Sequence, residues 1–323
     1  MATLKAITEF LEKRFPPEYA EDFDNIGLLI GRSERSVSKV LVCLDCDENV
    51  VAEASRRGAE LIVTHHPVIF NPVKNAVDVS SGGKMLVSAI EKNISVYSAH
   101  TNLDSAPGGL TEYLCSLLGL VPIANLCGHV GRICNAPEGE TVYSLCERIK
   151  KMLGVEHVFT TAHCDRAIKT VSVCNGGGGG DVAQKALESG AEVYISGDLK
   201  HHEIREIFLA EGIDYIEIRH HDSEKIVRGL LKNTLESAFP EIEIIVSAAN
   251  VNPLICIQSR VFLLPENLFE SICYLILGLD TIAAISAKTI TAAIPPAVAE
   301  SPPVKIPRIP FSLIPFFTPS NSA

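Results

Sequence analysis

A chain of 323 residues is long enough for two modest domains sharing a good core, and 47% hydrophobic with 21% charged residues describes a soluble globular protein over most of its length. The net charge of −11, with no basic run longer than Arg56–Arg57, argues against a nucleic-acid groove, because duplex binding depends on phosphate neutralisation by Lys and Arg. Ten scattered cysteines in a chain of this size read as reduced thiols, not as a disulfide scaffold.

Met1 to Phe15 reads as an amphipathic helix containing Lys5, Glu9, Glu12 and Lys13, not as a secretory signal. The cytoplasm is therefore the expected compartment, with a mitochondrion as the alternative. Val37 to Cys46 is apolar and β-branched, and Glu48 to Arg57 reads as a helix stopped by Gly58. Cys43 and Cys46 form a CxxC match inside the strand-like run; with no second pair to complete a zinc site, core thiols are the expectation. Leu61 to Thr64 is a buried strand, Lys84 to Lys92 a helix and Ile94 to Ala99 a third strand, an order that predicts a largely parallel sheet. The plan then repeats. Strands are expected at Ile168 to Cys174, Val193 to Ser196, Tyr215 to Ile218 and Ile242 to Val246, with helices from Asp181, before Ala210 and up to Phe239. The predicted architecture is two similar α/β lobes, 1–125 and 126–253, with mixed, largely parallel sheets facing a shared cleft. The 254–323 segment is apolar and then proline-rich, and is expected to be a poorly ordered tail. Leu268 to Ala287 approaches the about 20 residues of a membrane span. Glu270 and Asp280 lie within it, each costing roughly 2.5–3.5 kcal/mol at mid-membrane, so no membrane anchor is expected.

Chemistry concentrates at strand ends. Six of the ten histidines occur as doublets: His65–His66, His201–His202 and His220–His221. Two imidazoles closing a buried strand are costly unless hydrogen-bonded or metal-bound. For any one doublet, hydrogen bonding to nearby backbone explains the pair as well as metal binding does. His220 and Glu224 are four apart at a helix start and project from one face. Adjacent residues on an extended segment point apart, so His65 and His66 suit two ions better than one. Mixed imidazole and carboxylate donors suit zinc, iron, manganese or cobalt. The run Asn175–Asp181, with five glycines between a strand and a helix, is either a tight turn with close helix–sheet approach or an anion cradle; it lacks a P-loop ending. Asp45 is expected to hydrogen-bond at a strand end.

Taken together these segments resemble the Nif-three-like family, whose bacterial members often carry the name GTP cyclohydrolase I type 2 homolog. The matching motifs are Asp24–Leu28 (DNIGL), Thr64–Pro67 (THHP), His100–Asp104 (HTNLD), Gly197–Glu203 (GDLKHHE) and His220–Glu224 (HHDSE). The resemblance runs from Met1 to about Pro253 and implies a two-lobed fold with a dinuclear centre inside a ring-shaped homo-oligomer, commonly a hexamer. It also implies two divalent metal ions (zinc, iron, manganese or cobalt) as cofactors, held by His65, His66, Asp104, His220 and Glu224. His100 would lie near them as a proton shuttle, and His201 and His202 near the cleft without binding metal. There is no room for the regulatory-type domain that some members insert. Arg219 stands where the family usually has glycine; it would narrow the pocket or contact a phosphate.

The implied function is metal-dependent hydrolysis of a nucleotide or phosphorylated small molecule, GTP cyclohydrolase-like by resemblance only, with His100 or Glu224 assisting proton transfer. The competing reading is a non-enzymatic metal-binding scaffold or metal-delivery protein acting through protein partners such as transcriptional regulators.

Overall fold

The structure, a computed structural model, describes residues 2–254. The expectations for the tail, including Leu268 to Ala287, lie outside the described residues, and among the described residues no helix is long and apolar enough to cross a membrane.

The chain opens with β1 (Ala2–Thr3) and α1 (Leu4–Arg14), followed by β2 (Gly27–Ile30), β3 (Ser36–Val37) and β4 (Lys39–Cys43). Next come α2 (Glu48–Arg57), β5 (Leu61–Thr64), α3 (Ser81–Glu91), β6 (Ser95–Ser98), α4 (Thr101–Ser105) and α5 (Leu110–Leu117). The ends of α2 follow from its sequence. Asp47 accepts from the Val50 N–H as N-cap, and Gly58 closes the helix in the left-handed conformation at φ 71°. Residues 105–167, for which the pattern predicts no element, also hold β7 (Val121–Cys127), β8 (Val130–Asn135), α6 (Val142–Leu153) and β9 (Phe159–Thr160). The remainder is β10 (Thr170–Gly177), α7 (Gly179–Glu188), β11 (Val193–Gly197), α8 (His201–Leu209), β12 (Asp214–Glu217), α9 (His220–Glu224), α10 (Val227–Ala238) and β13 (Glu243–Val246).

Two larger sheets result, in the orders β13-β4-β5-β6-β2 and β7-β8-β10-β11-β12-β9. β13-β4-β5-β6 in one sheet and β10-β11-β12 in the other are parallel; the first run is bordered by antiparallel β2 on one side only, the second by antiparallel β8 and β9 on both sides. The class is mixed α/β with largely parallel sheets, as expected. Three strands depart from sequence order: β2 pairs with β6, β9 pairs with β12, and β13, reached only after the second sheet is complete, pairs with β4 of the first.

Alternation along the strands divides each sheet's faces. Val40 and Val42 pack with Leu4, Leu11 and Leu231, whereas Leu41 and Cys43 pack with Val50, Val51 and Met85. In the second sheet Val171 and Val173 join Leu145 and Ile149, while Cys174 and Tyr194 join Val182 and Ile207. Each fully buried leucine or valine contributes about 1.5–3 kcal/mol. The strands must therefore lie between helices, and polar side chains are left for the strand ends.

The glycine run departs from the predicted pattern in a way that shapes the site. β10 continues through Gly177, and Val173 and Gly177 pair with Ile195 and Gly197, so four steps of β10 oppose two of β11. Such a bulge bends the strand and re-aims its side chains. Here it brings Asn175 against Asp104 and Gly176 against Glu224.

Candidate metal centre

Parallel α/β sheets gather ligand groups beyond the carboxyl ends of their strands. That edge of the first sheet supplies Asp45 after β4, His65 and His66 after β5, and His100 with Asp104 after β6. The corresponding edge of the second supplies Asn175 and Gly176 from β10, Asp198 after β11, and His220 with Glu224 in the helix after β12. The two sets interleave. His66 Nε2 lies 3.0 Å from Glu224 Oε2, His220 Nε2 lies 2.9 Å from the same oxygen, and the two nitrogens are 3.3 Å apart. The other carboxylate oxygen turns elsewhere: His65 Nε2 is 3.8 Å from Glu224 Oε1 and 3.5 Å from Asp104 Oδ1. Glu224 thus faces two donor groups at once, His65 with Asp104 and His66 with His220. A third grouping, His65, His66 and His100, is compact enough to hold an ion as well.

A second layer fixes each ring through its Nδ1. His65 Nδ1 meets the Ala99 carbonyl at 2.7 Å, His66 Nδ1 meets Asp45 at 2.7 Å, His100 Nδ1 meets Asp24 at 2.9 Å and His220 Nδ1 meets Asp198 at 2.8 Å. Such partners set the tautomer and leave Nε2 as the inward donor. Asn175 Nδ2 donates to Asp104 Oδ1 at 2.6 Å, and its own Oδ1 accepts from Thr111 at 2.5 Å, so its orientation is dictated. Asp104 is further steadied where Arg132 donates to the Ser105 carbonyl at 2.7 Å.

The side chains present fit a cation. His65 is fully buried and its Nε2 has no hydrogen-bond partner, a costly state for an imidazole nitrogen unless something else meets it. Burial and the charge on Glu224 push the Asp104 carboxyl up despite the His65 ring beside it. Burial works against ionising Glu224, yet the contacts from His220 and His66, with the His65 ring close by, hold its carboxyl well below the usual range. Burial likewise opposes the second proton on His66, but Asp45 and Glu224 raise that ring to about 10. The Glu224 hydrogen bond, against burial, raises His220 to about 9. These protons occupy the nitrogen positions a metal ion needs, since ligating histidine is neutral. Zinc binding at pH 7 is accordingly expected to release about two protons and to tighten as pH rises towards 9–10. Calorimetric titration in buffers of different ionisation enthalpy measures that release; heats independent of the buffer would contradict it.

All of the anticipated residues His65, His66, His100, Asp104, His220 and Glu224 meet here. His201 and His202 are exposed at the start of α8 and, among the described residues, join none of the groups able to hold a metal. Arg219 is exposed immediately before His220. Asp24, Asn175 and Asp198 also serve the centre; in the sequence they stand in DNIGL, before the glycine run and in GDLKHHE, with no feature of residue type that marks them as site residues. Asp198 offers one further signal, a non-glycine residue at φ 56° beside the centre. The glycine run serves close approach: a Cβ on Gly176 would lie 2.0 Å from Glu224 Oε1, and the N–H groups of Gly176 and Gly178 are taken by Ser223 and Ser196. Among the described residues no cysteine joins a group able to hold a metal. Cys43 is buried, and its hydrogen bond to Cys46 together with burial raises the Cys46 thiol well above its usual range.

Fold and side chains together define a mixed α/β protein whose joined strand ends carry histidine and carboxylate groups able to hold metal. The profile of the Duf34/NIF3 (NGG1p interacting factor 3) family matches residues 2–253, and the chain belongs to that family. It is 32% identical over 259 residues to the GTP cyclohydrolase 1 type 2 homolog of Clostridium perfringens, covering 77% of this chain and 98% of the relative. It is 30% identical to the NIF3 homolog of Schizosaccharomyces pombe, covering 77% and 96%. Among solved structures, reduced HcgD from Methanocaldococcus jannaschii superposes with a TM-score of 0.67 at 29% identity, covering 76% of this chain and 97% of that one. A Bacillus cereus protein related to NIF3 shares the fold at a TM-score of 0.71 and 22% identity, covering 80% and 99%.

Proposed function

We propose that the protein is a hydrolase dependent on two divalent metal ions and acting on a nucleotide or phosphorylated small molecule. The observation that carries this reading is the division of Glu224, with Oε1 towards His65 and Asp104 and Oε2 towards His66 and His220. One ion would be held by His65, Asp104 and Glu224, the other by His66, His220 and Glu224. When bound, such a pair supplies Lewis acidity and lowers the pKa of water.

The remaining steps fall to the chain. Asp24 keeps its charge, its carboxyl held at about 2: burial opposes ionisation, but hydrogen bonds from His100 and Thr101 outweigh it. A charged Asp24 retains the proton on His100 Nδ1 and leaves Nε2 available for proton transfer. Several relatives carry the name GTP cyclohydrolase 1 type 2 homolog; a ring opening of a purine would need water addition and a proton for the departing nitrogen, and His100 would move that proton. Asp45 and Asp198 orient His66 and His220.

The test is metal content measured beside turnover on a panel of nucleotides. His65→Ala is expected to lose metal and turnover together, whereas Asp24→Asn is expected to keep metal, lower kcat and displace its pH profile. Loss of metal in His65→Ala with no change in turnover above background would remove the hydrolase and favour a metal-binding or metal-delivery role.

A further inference from the structure

Beside His100 lies Phe70, its ring 6.4 Å from the imidazole between centroids, and Phe23 packs on Phe70 at 6.1 Å. Both phenylalanines are exposed, Phe23 by 64% and Phe70 by 45%. A lone exposed apolar side chain is ordinary. Two aromatic rings from separate segments, held together in water beside a polar centre, are not explained by the core. Their placement is enforced: Asn25 Nδ2 donates to the Ile69 carbonyl at 2.5 Å, and Asp24, next to Phe23, binds both His100 and Thr101. His100 then meets the rings of His65 and His66 at 5.2 and 5.6 Å. A continuous file of planar groups therefore runs from solvent to the donor atoms.

We propose that Phe23 and Phe70 form the subsite for a planar heteroaromatic ring, a nucleobase or fused heterocycle of that size, held beside the metal centre. The two rings are inclined at 52° and too close to sandwich a third. The ligand stacks on one face and meets the edge of the other, the arrangement aromatic quadrupoles favour. A planar heteroaromatic suits the paired rings better than an aliphatic chain, because its π face can stack on one ring and its edge can meet the other. A macromolecular partner needs roughly 800 Å² on each side. Two half-exposed rings of at most about 150–250 Å² each fall short of that. The subsite rests on the hydrolase reading only for the chemistry after binding, since stacking requires no turnover.

The test uses the full chain with its metal content measured, guanosine 5′-monophosphate as probe and ribose 5-phosphate as the ringless control. Saturation-transfer NMR is expected to mark the base H8 more strongly than the ribose protons. The double variant Phe23→Leu/Phe70→Leu is expected to weaken the nucleotide by about tenfold or more, leaving ribose 5-phosphate binding and metal content unchanged. Phe70→Tyr, which keeps a ring, is expected to retain binding, and if it binds no better than Phe70→Leu the subsite is refuted. Equal nucleotide affinity in wild type and double variant also refutes it. So does a changed sedimentation coefficient without changed affinity, which would make this face an assembly surface. Nucleotide bound through its base but never turned over sinks the hydrolase and keeps the subsite. Turnover indifferent to the double variant does the reverse.

Discussion

Glu224→Gln is expected to empty both donor groups in a single step, taking metal content from the two ions per chain proposed above to none, while Asp104→Asn and His220→Ala each remove one. The amide keeps the shape of the side chain but loses the charge and one acceptor oxygen. In the present geometry that oxygen is irreplaceable, because Oε2 serves His66 and His220 while Oε1 faces His65 and Asp104. The effect should exceed the roughly 10–100-fold loss of affinity typical of residues that only orient a ligand, such as Asp45 or Asp198. Elemental analysis of the purified variants decides the matter. One ion retained in Glu224→Gln would mean that the carboxylate is not shared.

Gly176→Ala is expected to damage stability and site together. Its φ of +61° is strained for alanine, and the added Cβ would lie 2.0 Å from Glu224 Oε1 and 3.0 Å from its Cδ. The left-handed backbone costs about 1–2 kcal/mol and overpacking a further 1–3 kcal/mol, giving roughly 2–5 kcal/mol in all. For a domain of this size that corresponds to a fall in Tm of about 4–20 °C. Glu224 cannot yield freely, since it is buried and hydrogen-bonded to His66. Gly177→Ala is the matched control: its nearest neighbour, the Asp198 Cβ, stands at an ordinary 3.6 Å. Thermal melts and metal content of the two variants should diverge. A Gly176→Ala protein with wild-type Tm and full metal would show that the crowding is relieved at no cost.

Much of the central sheet was legible because short-range rules govern it. Leu61–Thr64 is a run buried on both faces, and α2 begins at an Asp N-cap and ends at a left-handed Gly. The β7–β8 hairpin was not, because β7 is an edge strand whose exposed Val121 and Ile123 break the alternation that marks a half-buried strand. By contrast α6 carried a readable signal, with Val142, Leu145, Cys146 and Ile149 at helical spacing behind a Thr141 cap. Among the site residues, histidines and acids at strand ends stood out by type. Asn175 did not, because the residue before a glycine run reads as turn chemistry. Only the bulge in β10 explains why it reaches Asp104.

The sequence by itself determined which residues end which strands: His65 and His66 after β5, Asp104 after β6, and His220 and Glu224 one helical turn apart. Local periodicity sets those positions, and a helix or strand fixes where neighbouring side chains point. Tertiary structure alone decided that the two strand-end sets meet, that Glu224 divides its oxygens between them, and that Phe23 and Phe70 stand beside His100. His66 and Glu224 are 158 positions apart in the chain. Contacts at that separation come from the packing of the two sheets and the return of β13 to the first, which no local pattern records.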